Sequence, residues 1–321
     1  MADSSPQARR KVPFMRYRLI ALAFSVLALI AAIVLVAGRG LNFGIDFVGG
    51  SVIEIATPEG AAVEDVRATV GGLGLGEVQV TEAFGTGADP IDVMVIRVQT
   101  QDAEEGEEEA AQGAAKTTVI EALRADYPNL DVRSQSTIGP KVSGELLTSG
   151  VTSLAIALAL MLAYIWFRFD RQYPLGAVAA LAHDVILTLG VFAALQLEFN
   201  LSTIAALLTI IGYSMNDTVV VFDRIREERP KYKKMSDSDV IDLALNGTLT
   251  RTLLTSGTTL IALLAIFILG GPVLRGMSFA LIWGVIIGTY SSIFVASSLL
   301  LVFGLRPDKK PTETPGFQGA P

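Results

Sequence analysis

The chain contains no cysteine and a single histidine. Disulfides and thiolate metal sites are therefore excluded, and so is a zinc site built from clustered histidines. There is no HExxH pair, no Walker A sequence and no serine in a nucleophile-elbow setting. The sequence thus calls for no catalytic centre of these kinds, no cofactor and no nucleic-acid partner. Charge is also scarce: 18% of residues are Asp, Glu, Lys or Arg, where a soluble domain usually carries about 25%.

Apolar residues fill the space that charge leaves. They make up 51% of the 321 residues, and the mean hydropathy is +0.51. Runs near the length of a membrane crossing recur and read as transmembrane helices. Six are expected: Leu19–Ala37, Leu146–Phe167, Pro174–Leu195, Leu201–Phe222, Thr252–Leu269 and Met277–Phe303. The first is longer than the apolar core of a cleaved signal peptide, and no small-residue cleavage site follows it, so a retained helix is expected. Membrane division makes the net charge of −7 a poor guide to partners.

Lys and Arg near span ends set the orientation. They cluster before span one (Arg9, Arg10, Lys11, Arg16, Arg18) and between spans two and three (Arg168, Arg171). They cluster again after span four (Arg224, Arg226, Arg229, Lys231, Lys233, Lys234) and in the tail (Arg306, Lys309, Lys310). Six crossings place all of these on one side, the cytoplasm, with both termini inside. The expected organisation is a cytoplasmic N-terminus at 1–18, a first helix at 19–37 and a periplasmic domain at 38–143. A five-helix region at 144–304 and a flexible cytoplasmic tail at 305–321 complete it.

The insertion between spans one and two carries seven Lys or Arg against eighteen Asp or Glu over residues 38–141. Long external domains are largely exempt from the charge rule. "GGSVIEIAT" alternates with period two and reads as a strand, as do "EVQVTEAF", "IDVMVIRVQT" and "DVRSQSTIG". "AAVEDVRATVGGL" and "AAKTTVIEALRADYP" read as helices, the second stopped by Pro128. The order βαββαβ suggests a small ferredoxin-like α+β domain. "GGLGLG" at 71–76 reads as a turn, and "DAEEGEEEAAQG" as a solvated loop or an acidic dock for a basic partner. The fold class expected is therefore an α-helical polytopic membrane protein with a small α+β domain between its first two helices.

Ionisable groups inside spans are costly and mark function by default. Span three contains His183 and Asp184, span four contains Asn216 and Asp217, and Arg251 is expected at the cytoplasmic start of span five. Glu145 and Arg275 fall at span edges. On span four Ala206, Tyr213, Asp217 and Arg224 share one face, and Ala205, Thr209, Gly212 and Asn216 form the adjoining stripe. Small and polar stripes indicate faces turned to other helices. Span five offers Arg251, Thr255, Thr258 and Ala262; span three offers Gly176, Ala180, His183 and Gly190; span six holds Gly284 and Gly288 in "GVIIG". Spans four and five run antiparallel, so Asp217 and Arg251 can meet at similar depth. Two readings stand: a pair switched by one proton, or a static polar clasp. Asp184 points about 100° away from His183 and is expected to face a partner subunit.

Five segments together resemble the SecF family, the smaller membrane subunits of bacterial SecD–SecF protein-export complexes. They are "GIDFVGGS", "IGPKVSGEL", "LAHDVILTLGVF", "IGYSMNDTVVVFDRIRE" and "RTLLTSGTTL". The resemblance covers nearly the whole chain. It implies membership of the resistance-nodulation-division superfamily, an inner-membrane location, and no enzymatic activity or cofactor beyond the proton gradient. It implies pairing with SecD and action beside the SecYEG channel, with YajC and YidC as further neighbours, on a translocating preprotein. It also implies a proton relay of Asp217 and Arg251; the intramembrane polar residues Asn216, Tyr213, His183, Asp184 and Thr255, read from the spans themselves, are expected to support it. In "GIDFVGG" the junction residues are Gly44, Asp46, Gly49 and Gly50. The glycines are expected to make a tight approach to the first strand, and Asp46 to accept a local hydrogen bond. Two rivals stand beside this reading: half of a proton-coupled small-molecule exporter, and a non-transporting scaffold of the channel.

Overall fold

Leu, Ile, Val and Ala between charged ends fold here as long helices, because only a helix satisfies every backbone polar group within one apolar segment. The structure, a computed structural model, describes residues 12–58, 60–76, 78–83, 93–101, 107–170 and 172–304. The start of the expected N-terminal segment, the link at 84–92 with the facing ends of the expected strands "EVQVTEAF" and "IDVMVIRVQT", the acidic stretch at 102–106 and the tail at 305–321 lie outside the described residues.

Among the described residues six helical segments are long and apolar enough to cross a membrane, matching the six expected. They are α1 (Arg18–Arg39), α5 (Pro140–Arg168), α6 (Gln172–Leu195), α7 (Leu201–Glu228), α8 (Asp237–Leu269) and a sixth. The sixth consists of α9 (Gly271–Ser291), a π-helical turn (Ser292–Ala296) and α10 (Ser297–Phe303). Between α1 and α5 come β1 (Asn42–Phe43), α2 (Ile45–Val48), β2 (Gly50–Ala56), α3 (Val63–Gly71), β3 (Val78–Ala83), β4 (Val93–Val98), α4 (Glu108–Asp126) and β5 (Val132–Ile138). A two-residue β6 (Glu198–Phe199) lies between α6 and α7.

Two boundaries differ from the expectation. Helix α8 begins at Asp237, not Thr252, because Ser236 caps it (Asp239 N donates to Ser236 Oγ, 3.2 Å) and the polar turns that follow continue the helix. Hydropathy saw only the apolar half. Helix α4 begins at Glu108 instead of Ala114, so the end of the acidic stretch is helix, not loop; Glu and Ala are good helix formers, and the charge there does not oppose helix geometry.

The insertion folds on its own core. β2, β3, β4 and β5 form one antiparallel sheet in the order β3-β4-β2-β5. Alternation puts Ile53, Ile55, Met94 and Ile96 on one face, where Val66 and Val70 of α3 and Val119 and Leu123 of α4 cover them. The opposite face carries Val52, Glu54 and Arg97, with Val52 paired to Arg97.

Small residues set the helix spacing in the bundle. A Cβ on Gly284 would run into the side chain of Ile210, and one on Gly288 would lie 3.0 Å from Ser214 Cβ, so α7 and α9 approach closely at the "GVIIG" segment. Gly190 faces Ala32 in the same way: a Cβ there would lie 2.8 Å from the Ala32 Cα. This contact seats α1 on α6, while most of α1 stays exposed, including Leu19, Ile20 and Phe24. Gly190→Val is expected to destabilise the chain by about 1–3 kcal/mol through overpacking against a backbone that cannot yield. Gly144→Ala, where a Cβ meets open space, is expected to be neutral or stabilising by up to ~1 kcal/mol. Denaturation midpoints in mild detergent check both.

Candidate functional site: polar groups inside the helix bundle

Asp217 lies near the middle of α7, eleven residues before Glu228, or roughly 16 Å along the axis at 1.5 Å per residue. Its side chain is 4% exposed. Oδ1 accepts from Thr252 Oγ1 at 3.3 Å, and Oδ2 has no partner. The carboxylate is therefore held by one long hydrogen bond from α8, where a buried carboxylate with its acceptor sites filled would take several.

Arg251 precedes that threonine on α8. Its charge is near enough to reach the carboxylate, yet neither a hydrogen bond nor an ion pair joins the two. Arg251 stands fifteenth in its helix, not at the start, because α8 begins so far upstream. It is exposed and borders a cleft of about 740 Å³ between α7 and α8, lined also by Val219, Val220, Asp223, Arg224, Gly247 and Thr248. This cleft opens at the end of the bundle away from the α+β domain.

The expected stripes are corrected in two places. On α8 the residues that reach α7 are Thr252 and Ser256, four apart, and not Thr255 and Thr258. Thr255 and Thr258 return their hydroxyls to carbonyls of their own helix. Ser256 links Tyr213 (Tyr213 Oη donates to Ser256 Oγ, 3.3 Å) to Thr289 of α9 (2.8 Å). On α7 the Ala206, Tyr213, Asp217 face turns inward as expected. The adjoining Ala205, Thr209 and Asn216 are exposed, and a Cβ on Gly212 would meet nothing within 4 Å. That stripe therefore faces no helix of this chain.

Asp184 is a third correction. It does not face outward: it is 1% exposed, between α6, α7 and α9. Oδ2 accepts from Ser214 Oγ (2.6 Å) and Ser291 Oγ (2.8 Å), and Oδ1 lies 3.0 Å from His183 Nδ1. Ser292 joins the group: its Oγ lies 2.8 Å from Thr218 Oγ1 and 3.4 Å from the Ser214 carbonyl. Ser214, Thr218, Ser291 and Ser292 were not singled out from the sequence. A lone serine in an apolar run carries little signal, and it gains meaning only when its helix partner is known.

The junction motif is a fourth correction. Asp46 accepts no local bond; its Oδ2 accepts from Leu201 N at 2.7 Å, at the first turn of α7. Asn200 caps the same helix through Thr203 N (3.1 Å). Gly44 N donates to the Phe199 carbonyl (2.9 Å), and β1 pairs in parallel with β6. A Cβ on Gly44 would lie 2.5 Å from Glu198 Oε1. Gly49 (φ +75°) and Gly50 (φ +113°) do make the tight approach to β2, where a Cβ would strike Thr100 and the Val98 carbonyl. Arg97 of β4 also pairs with Glu198. The motif therefore ties the α+β domain to the N-terminal end of the helix that carries Asp217.

Glu54 faces the same junction. Burial, and then the charge of Glu198, hold its carboxyl above the ordinary value of 4.5. The folded state thus binds the proton more tightly than the unfolded chain does. Stability from this group is full below pH 4.5 and is lost as pH rises through the raised value. Glu54→Gln is expected to flatten that fall and to leave the domain more stable at neutral pH. Denaturation of both forms across pH checks it; an unchanged pH profile would show that the burial of Glu54 has no energetic consequence.

The fold and these groups define a polytopic membrane protein with ionisable side chains held inside its helix bundle. The chain belongs to the SecD/SecF family of protein-export membrane proteins. Residues 118–306 match the family model described as Protein export membrane protein SecD/SecF, C-terminal, and residues 34–57 match the SecD/SecF GG motif. The chain is 46% identical over 288 residues to the Protein translocase subunit SecF of Cereibacter sphaeroides, covering 89% of this chain and 87% of that one. It is 46% identical over 300 residues to the same-named protein of Rhodobacter capsulatus, covering 92% and 90%. It also superposes on the crystal structure of SecDF, a translocon-associated membrane protein from Thermus thermophilus, with a TM-score of 0.79 and 33% identity. That match covers 93% of this chain and 39% of the other, so the chain spans about two fifths of that protein's length.

Proposed function

We propose that the chain is an accessory subunit of the Sec preprotein translocase and works with SecD to turn the proton-motive force into export across the inner membrane. It has no enzymatic step. In this reading residues 38–143 form a ferredoxin-like periplasmic domain, which the sheet order and the two covering helices support. Residues 1–18 and 305–321 lie in the cytoplasm, which the Lys and Arg distribution supports, and 19–37 and 144–304 span the membrane. SecD supplies a second six-helix half, and the stripe of exposed Ala205, Thr209 and Asn216 with Gly212, which no helix of this chain covers, supports a partner helix there, because small and polar residues favour helix contact over lipid. SecYEG, with YajC and YidC beside it, supplies the translocating preprotein.

The observation that carries the reading is the state of Asp217: buried in a membrane span, held by one hydroxyl, with Arg251 near but not bonded to it. A proton arriving at Oδ2 neutralises the group and removes its attraction to Arg251, so the packing of α7 against α8 has a different optimum with and without the proton. The domain, tied to α7 at Leu201, moves with that helix. The magnitude bounds the stoichiometry. One proton releases roughly 2.3 kcal/mol per 100 mV, and a swing from 1:99 to 99:1 needs about 5.5 kcal/mol. More than one proton, a pH gradient or a smaller swing completes the cycle.

Asp217→Asn is expected to abolish the part of export that an ionophore removes, with membrane insertion intact. Translocation of a secreted reporter into inverted inner-membrane vesicles, with and without ionophore, checks this; an unchanged ionophore-sensitive fraction removes Asp217 from the mechanism. Thr252→Val deletes the one hydrogen bond to the carboxylate and is expected to change the same fraction less than Asp217→Asn does.

A further inference from the structure

The most completely buried ionisable pair in the bundle is not Asp217 with Arg251. His183 and Asp184 are 2% and 1% exposed. Asp184 receives hydroxyls from two other helices, Ser214 Oγ of α7 and Ser291 Oγ of α9, at 2.6 and 2.8 Å, besides the contact with His183 Nδ1 at 3.0 Å. Hydroxyls aimed at one carboxyl from two other helices suit the ionised form, which only accepts, and the Ser291 proton is shared with the Gly288 carbonyl at 3.1 Å. A carboxylate enclosed in a bilayer needs a compensating positive charge.

The surrounding elements supply none. On α1 the charged residues Arg18 and Arg39 stand at the two ends, and Ser25 is the polar group turned inward. On α5, Lys141, Glu145 and Arg168 stand near the two ends. On α9 Arg275 is in the first turns, and Tyr290 and Ser291, with Ser292 of the π-helical turn that follows, are the groups at this level. On α7, Asp217 turns to Thr252 of α8. Tyr290 stacks on the imidazole (centroids 6.2 Å apart, 27°) and spends its own hydroxyl on the Ala21 carbonyl at 2.8 Å and Ser25 at 3.0 Å. The imidazole itself is the remaining source of positive charge, and its Nε2 is buried without a partner.

We propose that the His183–Asp184 dyad is a second proton-binding site of the membrane region, separate from Asp217, with Nε2 of His183 as the atom that takes the proton. In the unloaded state Nδ1–H donates to Asp184 Oδ1, Nε2 holds a free lone pair and the dyad carries one negative charge. Uptake forms the Nε2–H bond, gives an imidazolium beside the carboxylate and leaves the dyad neutral. No other bond breaks. The site sits on the face of α7 next to that of Asp217: Ser214 reaches Asp184, Asp217 reaches α8, and Thr218 reaches Ser292. A charge change at the dyad therefore bears on the same helix as a charge change at Asp217. The use of this proton in export rests on the proton-driven reading above, where it supplies the additional proton that the energy of one crossing leaves wanting. The existence of the site does not rest on that reading.

His183 is the only histidine of the chain, so its imidazole is an unambiguous probe. The full chain, labelled with nitrogen-15 histidine and reconstituted in lipid bilayers, is followed by solid-state NMR over the pH range in which the chain stays folded. The expected result is conversion from the neutral form with one protonated nitrogen to the imidazolium, in the wild-type chain and equally in Asp217→Asn. Asp184→Asn is expected to weaken proton binding by about tenfold or more, one pH unit, by removing the adjacent negative charge. An imidazole that keeps one form across the range overturns the proposal, and so does conversion that disappears in Asp217→Asn. Either result is distinct from failure of the export reading, which shows as unchanged ionophore-sensitive export by Asp217→Asn.

Discussion

A bilayer interior offers no water to complete a hydrogen bond, so each polar group carried into a span must find its partner in protein. Helix α7 meets this constraint unevenly, and the rest of the arrangement follows from that. Ser214 and Thr218 reach Asp184 and Ser292 at 2.6 and 2.8 Å. Asp217, between them in sequence, has one bond at 3.3 Å and an oxygen with none. The helix is thus well bonded toward α6 and α9 and poorly bonded toward α8. A group whose needs are half met responds most to a change in its own charge, because neither state is locked by geometry.

The N-terminal end of α7 shows the opposite economy of contact. Asn200 and Asp46 fill two of the amide positions that a helix start leaves open. The β1–β6 ladder and the Arg97–Glu198 pair tie the same turn to the sheet of the α+β domain. Phe47, Phe192 and Phe199 pack around it. Sixteen residues of continuous helix, roughly 24 Å at 1.5 Å per residue, connect this joint to Asp217. A helix of that length transmits tilt with little bending, so motion at the carboxylate level reaches the domain as displacement of its anchor. Under the proposed cycle the junction motif is a mechanical coupling, a role that its glycines and its one carboxylate serve together.

Much of this was legible in the sequence, and the rest was hidden for identifiable reasons. Hydropathy placed all six spans because the apolar runs are long. Period-two alternation found the four strands because one face of the sheet is buried, at Ile53, Ile55, Met94 and Ile96. The cost of burying charge singled out Asp217 and the His183–Asp184 pair. What escaped were contacts that depend on a partner helix. Thr252 and Thr255 have the same composition signal, and only the rotation of α8 decides which one reaches Asp217. Asp46 looked local because its partner, Leu201, is 155 residues away. The upstream part of α8, from Asp237, escaped because hydropathy cannot see the polar first half of a helix that continues beyond the apolar region.

The contacts themselves indicate which helix yields when the charge on α7 changes. Between α7 and α9 the approach is set by Gly284 and Gly288 against Ile210 and Ser214, with almost no space for a shift. Close-packed contacts of this kind have one arrangement, since a slide of a fraction of a residue drives atoms into one another. Helix α8 touches its neighbours differently at this depth, through Thr252 to Asp217 and through Ser256 to Tyr213 and Thr289. Hydroxyls rotate, and each can donate or accept, so such a seam can exchange partners without opening a void. The cleft lined by Gly247, Thr248 and Arg251 on one side and by Val219 and Val220 on the other gives α8 room at the end away from the domain. Under the proposed cycle a neutralised Asp217 therefore acts on the hydroxyl seam with α8, which can rearrange, and not on the close-packed contact between α7 and α9.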